Sequence, residues 1–388
     1  MVTPIAITAV ASVSPLGNSF SEVKQAYAQP QTAIQQVTLE GKTHWAAPLA
    51  LSAREEVERV MQSQSAYRKL DPSVLYALAA ARKAVYNAGG LAGVNLGVNF
   101  GSSRGATQLF EKYHQEFLAT GLAPTLTSPT TTLGNISSWV AHDLQIQGPA
   151  LSHSITCSTS LHALLNGVAW MRAGMAEAFL VGGSEAPLTA FTMAQMKAMK
   201  IPSQLPADSV YPCLSLDLHK TANTMVLGEG AVAVVLEKGI RNNALAYLTG
   251  LGYATEILEH NSSISAEADC FQKSMRMALG SLPPEAVDVV VTHTPGTLKG
   301  DASEFRAIQK VFGANLPALT TNKWKIGHTF GASGLFSLEM ALLVLETQSF
   351  IPVPFLPQAQ LSKPIQNVLI NAVGFGGNAV SVLVSKNP

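Results

Sequence analysis

The chain has 388 residues, 47% hydrophobic and 13% charged, with 25 Lys and Arg balancing 25 Asp and Glu. That length allows two domains and a large core, and so few charges leave part of the surface suited to an interface, as in an oligomeric α/β protein. Zero net charge without a long basic run excludes the electrostatic footprint of a nucleic-acid binder.

In chain order, Met1 to Pro15 is apolar but lacks a positively charged start. It reads as a strand over Ile5–Val10 and the turn Ser14-Pro15-Leu16-Gly17, not as a signal peptide. Helical spacing follows over Leu75–Asn87, and a strand-like approach turns through Ser154-Ile155-Thr156-Cys157 into a helix over Leu161–Gly174. Buried strands are predicted at Ala178–Val181, before Gly182-Gly183, and at Ala231–Leu236, after Gly228-Glu229-Gly230. The polar stretch Arg241-Asn242-Asn243 marks an internal boundary, dividing the chain into halves 1–240 and 241–388. Beyond it lie an apolar run Ala244–Tyr253, a strand Val287–Val291, helices Ala302–Phe312 and Leu335–Glu346, and a strand Val368–Ile370. Strands alternating with helices predict an α/β fold with a largely parallel sheet. Charges such as Glu339, or Gly and Pro, interrupt every apolar stretch before the roughly 20 residues of a membrane span. No span is expected.

The cysteines, Cys157, Cys213 and Cys270, are odd in number and widely spaced, which fits neither a disulfide framework nor a Cys-x-x-Cys zinc site. A reducing, cytoplasmic setting without a bound metal is expected. Cys213 and Cys270 read as small buried hydrophobes. Cys157 differs, because it stands among Thr156, Ser158, Thr159 and Ser160 at the start of a helix, where unpaired N–H groups favour a thiolate. On these local features alone a buried structural cysteine fits equally well. His293 ends the strand Val287–Val291, and His328 lies in Lys323-Trp324-Lys325-Ile326-Gly327-His328, which runs into Thr329 to Gly334 and an apolar helix. Either imidazole alone reads as structural; a lone thiol with histidines elsewhere reads as a nucleophile whose partners meet it in the fold.

Together these motifs resemble those of the β-ketoacyl synthases, condensing enzymes of the thiolase superfamily, over nearly the whole chain. The resemblance runs from Ser14 to Gly17 through Gly101-Ser102-Ser103, Gly148-Pro149, Thr156 to Ser160, Gly182 to Glu185 and Leu227 to Gly230. It continues in His293 with Thr297, Gly300-Asp301-x-x-Glu304, Lys323 to Gly334 and Gly374-Phe375-Gly376-Gly377-Asn378. It implies a thiolase fold, two similar α/β halves in five αβαβα layers, with Cys157 at the bottom of a tunnel and a dimer of like or unlike ketosynthase chains. Cys157 would accept an acyl group from an acyl carrier protein, and a malonyl carrier thioester would then lose carbon dioxide and condense with it. His293, His328 and Lys323 match catalytic positions. Cys157, Phe375 and Gly376 match the oxyanion site and gate, Thr297 and Asn371 substrate contacts, and Asp301 and Glu304 structural support. The phosphopantetheine arm arrives on the carrier, and no other cofactor is expected. Carrier docking is expected at Arg68 and Lys69, with Lys197 and Lys200 as further candidates.

The pattern departs from the family in three places. Pro295 interrupts the usual Gly-Thr-x-Thr after the first histidine, Val373 replaces an aromatic before Phe375, and residues 217–224 lack the usual Arg-Asp-Gly. The alternative, a non-catalytic chain-length-factor-like subunit, would usually have lost the cysteine. A thiolase would carry a second Cys where Gly374-Phe375-Gly376 stands.

Overall fold

The computed structural model describes residues 3–91, 93–133, 135–257, 265–357, 361 and 363–388. Its strands are β1 (Ile5–Val13), β2 (Gln35–Leu39), β3 (Lys42–Ala47), β4 (Leu96–Gly101), β5 (Ala150–His153), β6 (Ala178–Glu185), β7 (Leu227–Gly228) and β8 (Gly230–Lys238). They continue with β9 (Ala246–Thr255), β10 (Val289–Val291), β11 (Ala318–Thr320), β12 (Asn367–Gly374) and β13 (Asn378–Ser385). Ten form one hydrogen-bonded sheet, in the order β11-β10-β12-β13-β9-β1-β8-β6-β4-β5, and β2-β3-β7 form a small second sheet.

From its middle outward the large sheet is one motif used twice. The run β1-β8-β6-β4-β5 and the run β9-β13-β12-β10-β11 share the same chain order and the same strand directions. The runs meet through a short ladder pairing Ile5, Ala6 and Ile7 with Leu248, Tyr247 and Ala246. The expectation of a largely parallel sheet is corrected: β4 is parallel to β5 and β6, and β10 to β11 and β12, while the remaining neighbours are antiparallel. Parallel pairing needs a crossover connection, and Phe375-Gly376-Gly377 between β12 and β13 is too short for one.

Both faces of each half-sheet are covered, which explains its nearly uninterrupted apolar strands. In β8, Val232, Val234 and Leu236 face one core and Ala231, Ala233 and Val235 another, the two-residue alternation of a pleated strand. The helices Thr159–Arg172 and Ser333–Thr347 pack on each other between the half-sheets. Pro72–Asn87 covers the outside of β1 and β8, and Asp269–Leu279, backed by Leu298–Phe312, covers the outside of β9 and β13. These are the five layers of the thiolase fold.

Residues 330–347 are long and apolar enough to cross a membrane by composition, yet here they lie inside the protein. Every residue from Ser333 to Leu345 is buried, because a helix that is apolar all round needs partners all round. Its carboxylate, Glu339, hydrogen-bonds Ser12, and burial pushes it up to about 7. The folded chain therefore keeps a proton between about 4.5 and 7 that the unfolded chain has lost, so this group makes stability fall as pH rises through that window. The full loss is on the order of 3 kcal/mol. Glu339→Gln is expected to flatten that slope and to raise Tm relative to the parent above pH 7. Melting curves of both proteins across the window test this; parallel curves would refute it.

Candidate active site

The nucleophile is held by a strained elbow. After β5 the chain reverses at Thr156, whose φ of +46° is a left-handed conformation that β-branched residues avoid. Thr159 fixes it: its hydroxyl donates to the Thr156 carbonyl at 2.5 Å and accepts from the Ile155 N–H at 2.8 Å. Gly374 packs against the same elbow so closely that a Cβ there would stand 2.1 Å from Thr156 Oγ1. Cys157 is left just ahead of the Thr159–Arg172 helix, 7% exposed. Burial, assisted by the charge of Glu185 and opposed by Lys323, pushes its thiol up to about 12. Burial thus favours the thiol, the direction opposite to the pull expected of a helix N-terminus.

The two histidines come from the other half of the fold. His293 follows β10, and its main-chain N–H and that of Thr294 donate to the two oxygens of Glu304 at 2.9 and 2.7 Å. His328 follows the short helix Lys323–Ile326 through Gly327, at φ +68°. Its N–H donates to the Val226 carbonyl at 2.6 Å, and its own carbonyl accepts from Gly228 N–H at 3.1 Å. The rings stand edge to face with centroids 5.2 Å apart, and neither Nδ1 has a hydrogen-bond partner among the described residues. Burial, with the nearby Lys323 charge, takes His328 down to about 3; burial, then the charges of His328 and Lys323, takes His293 well below the usual imidazole value. Both rings are neutral N–H donors at physiological pH.

Lys323 is 1% exposed. Its ammonium donates to Asn322 Oδ1 at 2.8 Å and to Ser337 Oγ at 3.4 Å, with no ion pair among the described residues. Burial takes the amine down to about 8, against the pull of Glu304. Glu304 itself is raised to about 7 by burial, despite the N–H groups it accepts.

Cys157, His293 and His328 line one cavity of about 390 Å³, together with Met196, Met225, Thr297, Phe330 and Phe375. Phe375, 40% exposed, is the only aromatic side chain in that lining which is not buried. It begins the turn through Gly376 and Gly377, whose φ values of +90° and +70° favour glycine. Thr297 caps the Leu298–Phe312 helix by accepting from Gly300 N–H at 3.2 Å. Asn371 is corrected from substrate contact to support: it is buried on β12, donating to Glu304 Oε1 at 3.2 Å and accepting from Ser381 Oγ at 2.7 Å. Arg68 and Lys69 sit on the exposed turn Ser65–Lys69, away from the cavity lining. Lys200 accepts Asn223 Nδ2 on its carbonyl at 2.9 Å, and Asn223 does line the cavity. Lys197 lines a different cavity.

Three participants escaped the sequence reading. Lys220 forms a buried ion pair with Asp301 at 2.8 Å, and Asp301 also accepts N–H groups of Leu216 and Gly296 at 2.9 and 3.0 Å, tying residues 216–220 to the loop after His293. The signal was the missing Arg-Asp-Gly in 217–224, but not the partner. Glu185 accepts from the N–H groups of Ser103 and Gly331, joining the loop after β4 to the loop after His328; a carboxylate ending an apolar strand was its trace. Phe330, at φ +41°, is wedged between the His328 ring, 5.7 Å away, and the Arg104 guanidinium, 5.8 Å away. The assembly offers a buried thiol, two neutral N–H donors and a backbone turn of low steric bulk in one cavity, the components of acyl transfer.

Residues 2–240 match the family model of the β-ketoacyl synthase N-terminal domain, and residues 245–355 that of its C-terminal domain. A 3-oxoacyl-[acyl-carrier-protein] synthase 2 of Coxiella burnetii is 27% identical, covering 98% of each chain. Among solved structures, the ishigamide ketosynthase/chain length factor superposes with TM-score 0.86 at 20% identity over 100% of both chains. A type II PKS ketosynthase in complex with its acyl-carrier protein, AntDE:AntF, gives TM-score 0.85 at 18% identity over 99% of both.

A thiol held this high should alkylate slowly at neutral pH. Iodoacetamide labelling of Cys157, followed by intact mass with Cys157→Ala as blank, is expected to keep accelerating up to pH of about 10. A plateau near neutrality would show a stabilised thiolate instead.

Proposed function

Because the chain belongs to the β-ketoacyl synthase family, we propose that it is a condensing acyltransferase acting on carrier-bound thioesters, in fatty acid or specialised polyketide or polyene biosynthesis. The observation that carries this reading is the cavity in which Cys157 meets two neutral imidazoles from the opposite half of the fold.

The first step is transfer of the acyl group to Cys157. The thiol is not ionised at rest, so its proton passes to a neighbouring imidazole as sulfur attacks the thioester carbonyl, and from there to the departing pantetheine thiolate. Main-chain N–H groups of Cys157 and Phe375 are the proposed holders of the tetrahedral oxyanion, the glycines around Phe375 letting that backbone come close. A malonyl thioester then loses carbon dioxide. The electron pair left behind delocalises onto the thioester oxygen, which needs N–H donors and no acid strong enough to quench the carbanion. Neutral His293 and His328 meet both requirements. The carbanion attacks the acyl-Cys157 carbonyl, and collapse of that intermediate releases the β-ketoacyl thioester and expels a thiolate, which takes up a proton from solvent to restore the resting thiol. Burial, with the Lys323 charge adding to it, keeps both rings neutral, and Glu304 fixes the main chain of His293.

An acyl carrier protein is the proposed partner, supported by the solved complex of a ketosynthase with its carrier; Arg68, Lys69 and Lys200 remain candidates for docking. A dimer with a like or unlike chain and a cytoplasmic setting belong to the same reading. Pro295, Val373 and Asn223 of the 217–224 segment all line the cavity, so each of the three departures from the family pattern reaches substrate-facing surface, which favours a specialised acyl chain.

Intact mass after incubation with acyl-carrier thioesters is expected to show acylation that Cys157→Ala abolishes. Release of carbon dioxide from malonyl carrier should fall about 10²–10³-fold in His293→Ala and in His328→Ala. Decarboxylation indifferent to both histidines would overturn the assignment.

A further inference from the structure

A second cavity, of about 540 Å³, abuts the catalytic one. The two share one side chain, Met225. Beside it in the partition, Ile201 faces the first and Pro202 the second, and on the Ala190–Ala198 helix Met196 faces the first while Met193, one turn earlier, faces the second. Met193, Met196 and Met225 belong to one apolar cluster with Cys157 and Phe330, and Val37 and Leu39 of β2 pack against its far side. Apolar surface therefore continues from the nucleophile through the partition. Methionine is unbranched and flexible, which makes it a wall that can yield to an inserted chain.

The far end of the second cavity has a different character. Lys42, His44 and Lys197 line it, and burial, then the charges of Lys197 and Lys42, hold the His44 ring toward its neutral form, which leaves the positive charge to the two lysines. None of the three forms an ion pair among the described residues. The channel would thus run from a thiol, through apolar side chains, to two lysines that outnumber the one carboxylate beside them, Glu40, a balance that attracts an anionic group.

We propose that the second cavity is the distal part of the acyl channel: a long acyl chain on Cys157 passes Met225, and Lys42, His44 and Lys197 favour chains that end in a carboxylate. This rests on the acyl-transfer reading of Cys157.

The test uses N-acetylcysteamine thioesters, so that carrier docking plays no part, and reads the rate of Cys157 acylation by intact mass. Hexanoyl, hexadecanoyl and hexadecanedioyl donors are compared. The parent is expected to prefer the hexadecanedioyl to the hexadecanoyl donor, and the double variant Lys42→Gln/Lys197→Gln to lose that preference. Met193→Trp, which fills the second cavity, should lower the hexadecanoyl-to-hexanoyl ratio about tenfold, and Met225→Ala, which thins the partition, should raise it. The opposite signs separate a channel effect from general damage to the fold. Length ratios unmoved by both variants would overturn the channel, and equal rates for the two long donors in the parent would overturn the carboxylate preference. Failure of the hexanoyl donor to acylate the parent would instead remove the acyl-transfer reading, and this inference with it.

Discussion

The close crossing of the two central helices at their N-terminal ends brings the site together. Helices ordinarily pack with axes 8–10 Å apart, roughly, and bulky side chains here would hold Cys157 away from His328. Small residues remove that obstacle. A Cβ on Gly334 would stand 2.6 Å from Leu161 Cγ, and one on Gly183 would stand 2.8 Å from both Ser160 Cβ and Ala332 Cα. The Leu335 N–H donates to Ser160 Oγ at 3.1 Å and Ser333 Oγ to the Cys157 carbonyl at 3.4 Å, so hydrogen bonds fasten the crossing. The nucleophile's helix and the helix after the second histidine thus start at one point, each contributed by a different half of the chain.

Bringing these ends together between two sheets also buries the site's ionisable groups, and its electrostatics follow. Water is withdrawn from Cys157, His293, His328, Lys323, Glu185 and Glu304 alike, and in each case burial is the largest cause of the shift, always toward the neutral form. A set of groups near neutrality suits a reaction whose intermediates are anionic: charge is created in the reaction and received by N–H donors already in place. The carboxyl groups act through geometry. Glu304 and Glu185 each accept two main-chain N–H groups and hold the loops that carry His293 and Phe330.

What the sequence made legible was punctuation. Cys157, His293 and His328 each stand where an apolar run ends in small or turn-forming residues, and such places face a site in α/β folds. Strand and helix positions were readable for the same reason, since both faces of the half-sheets are buried and the apolar runs are nearly unbroken. Direction was not readable: β12 and β13 are apolar in the same way as β10, and the shortness of the Phe375 turn alone sets them antiparallel. Pairings across the chain were also hidden. Nothing local to Lys220 points to Asp301, 81 residues away, and nothing local to Asn371 turns it from the cavity toward Glu304. At Cys157 the helix end was visible in sequence, and the depth of burial that favours the thiol was not.

The duplicated topology supplies a reason for the division of labour. The loop after β5 carries Cys157, and its counterpart after β11 carries Lys323 and His328. The loop after β4 carries Ser102, Ser103 and Arg104, and its counterpart after β10 carries His293. The loop after β6 starts from Glu185, the last residue of that strand, and its counterpart after β12 is the glycine turn around Phe375. Two copies of one scaffold present six loops to one seam, and one loop cannot supply both the thiol and the imidazole donors that receive the enolate. Divergence of equivalent loops resolves that conflict, one copy supplying the thiol and the other the imidazoles. Specificity then falls to whatever lines the space between them. That Pro295 and Val373 face this space, and that the partition beyond it is built from methionines, places the distinctive residues of this chain along the path of the substrate while the seam itself is left intact.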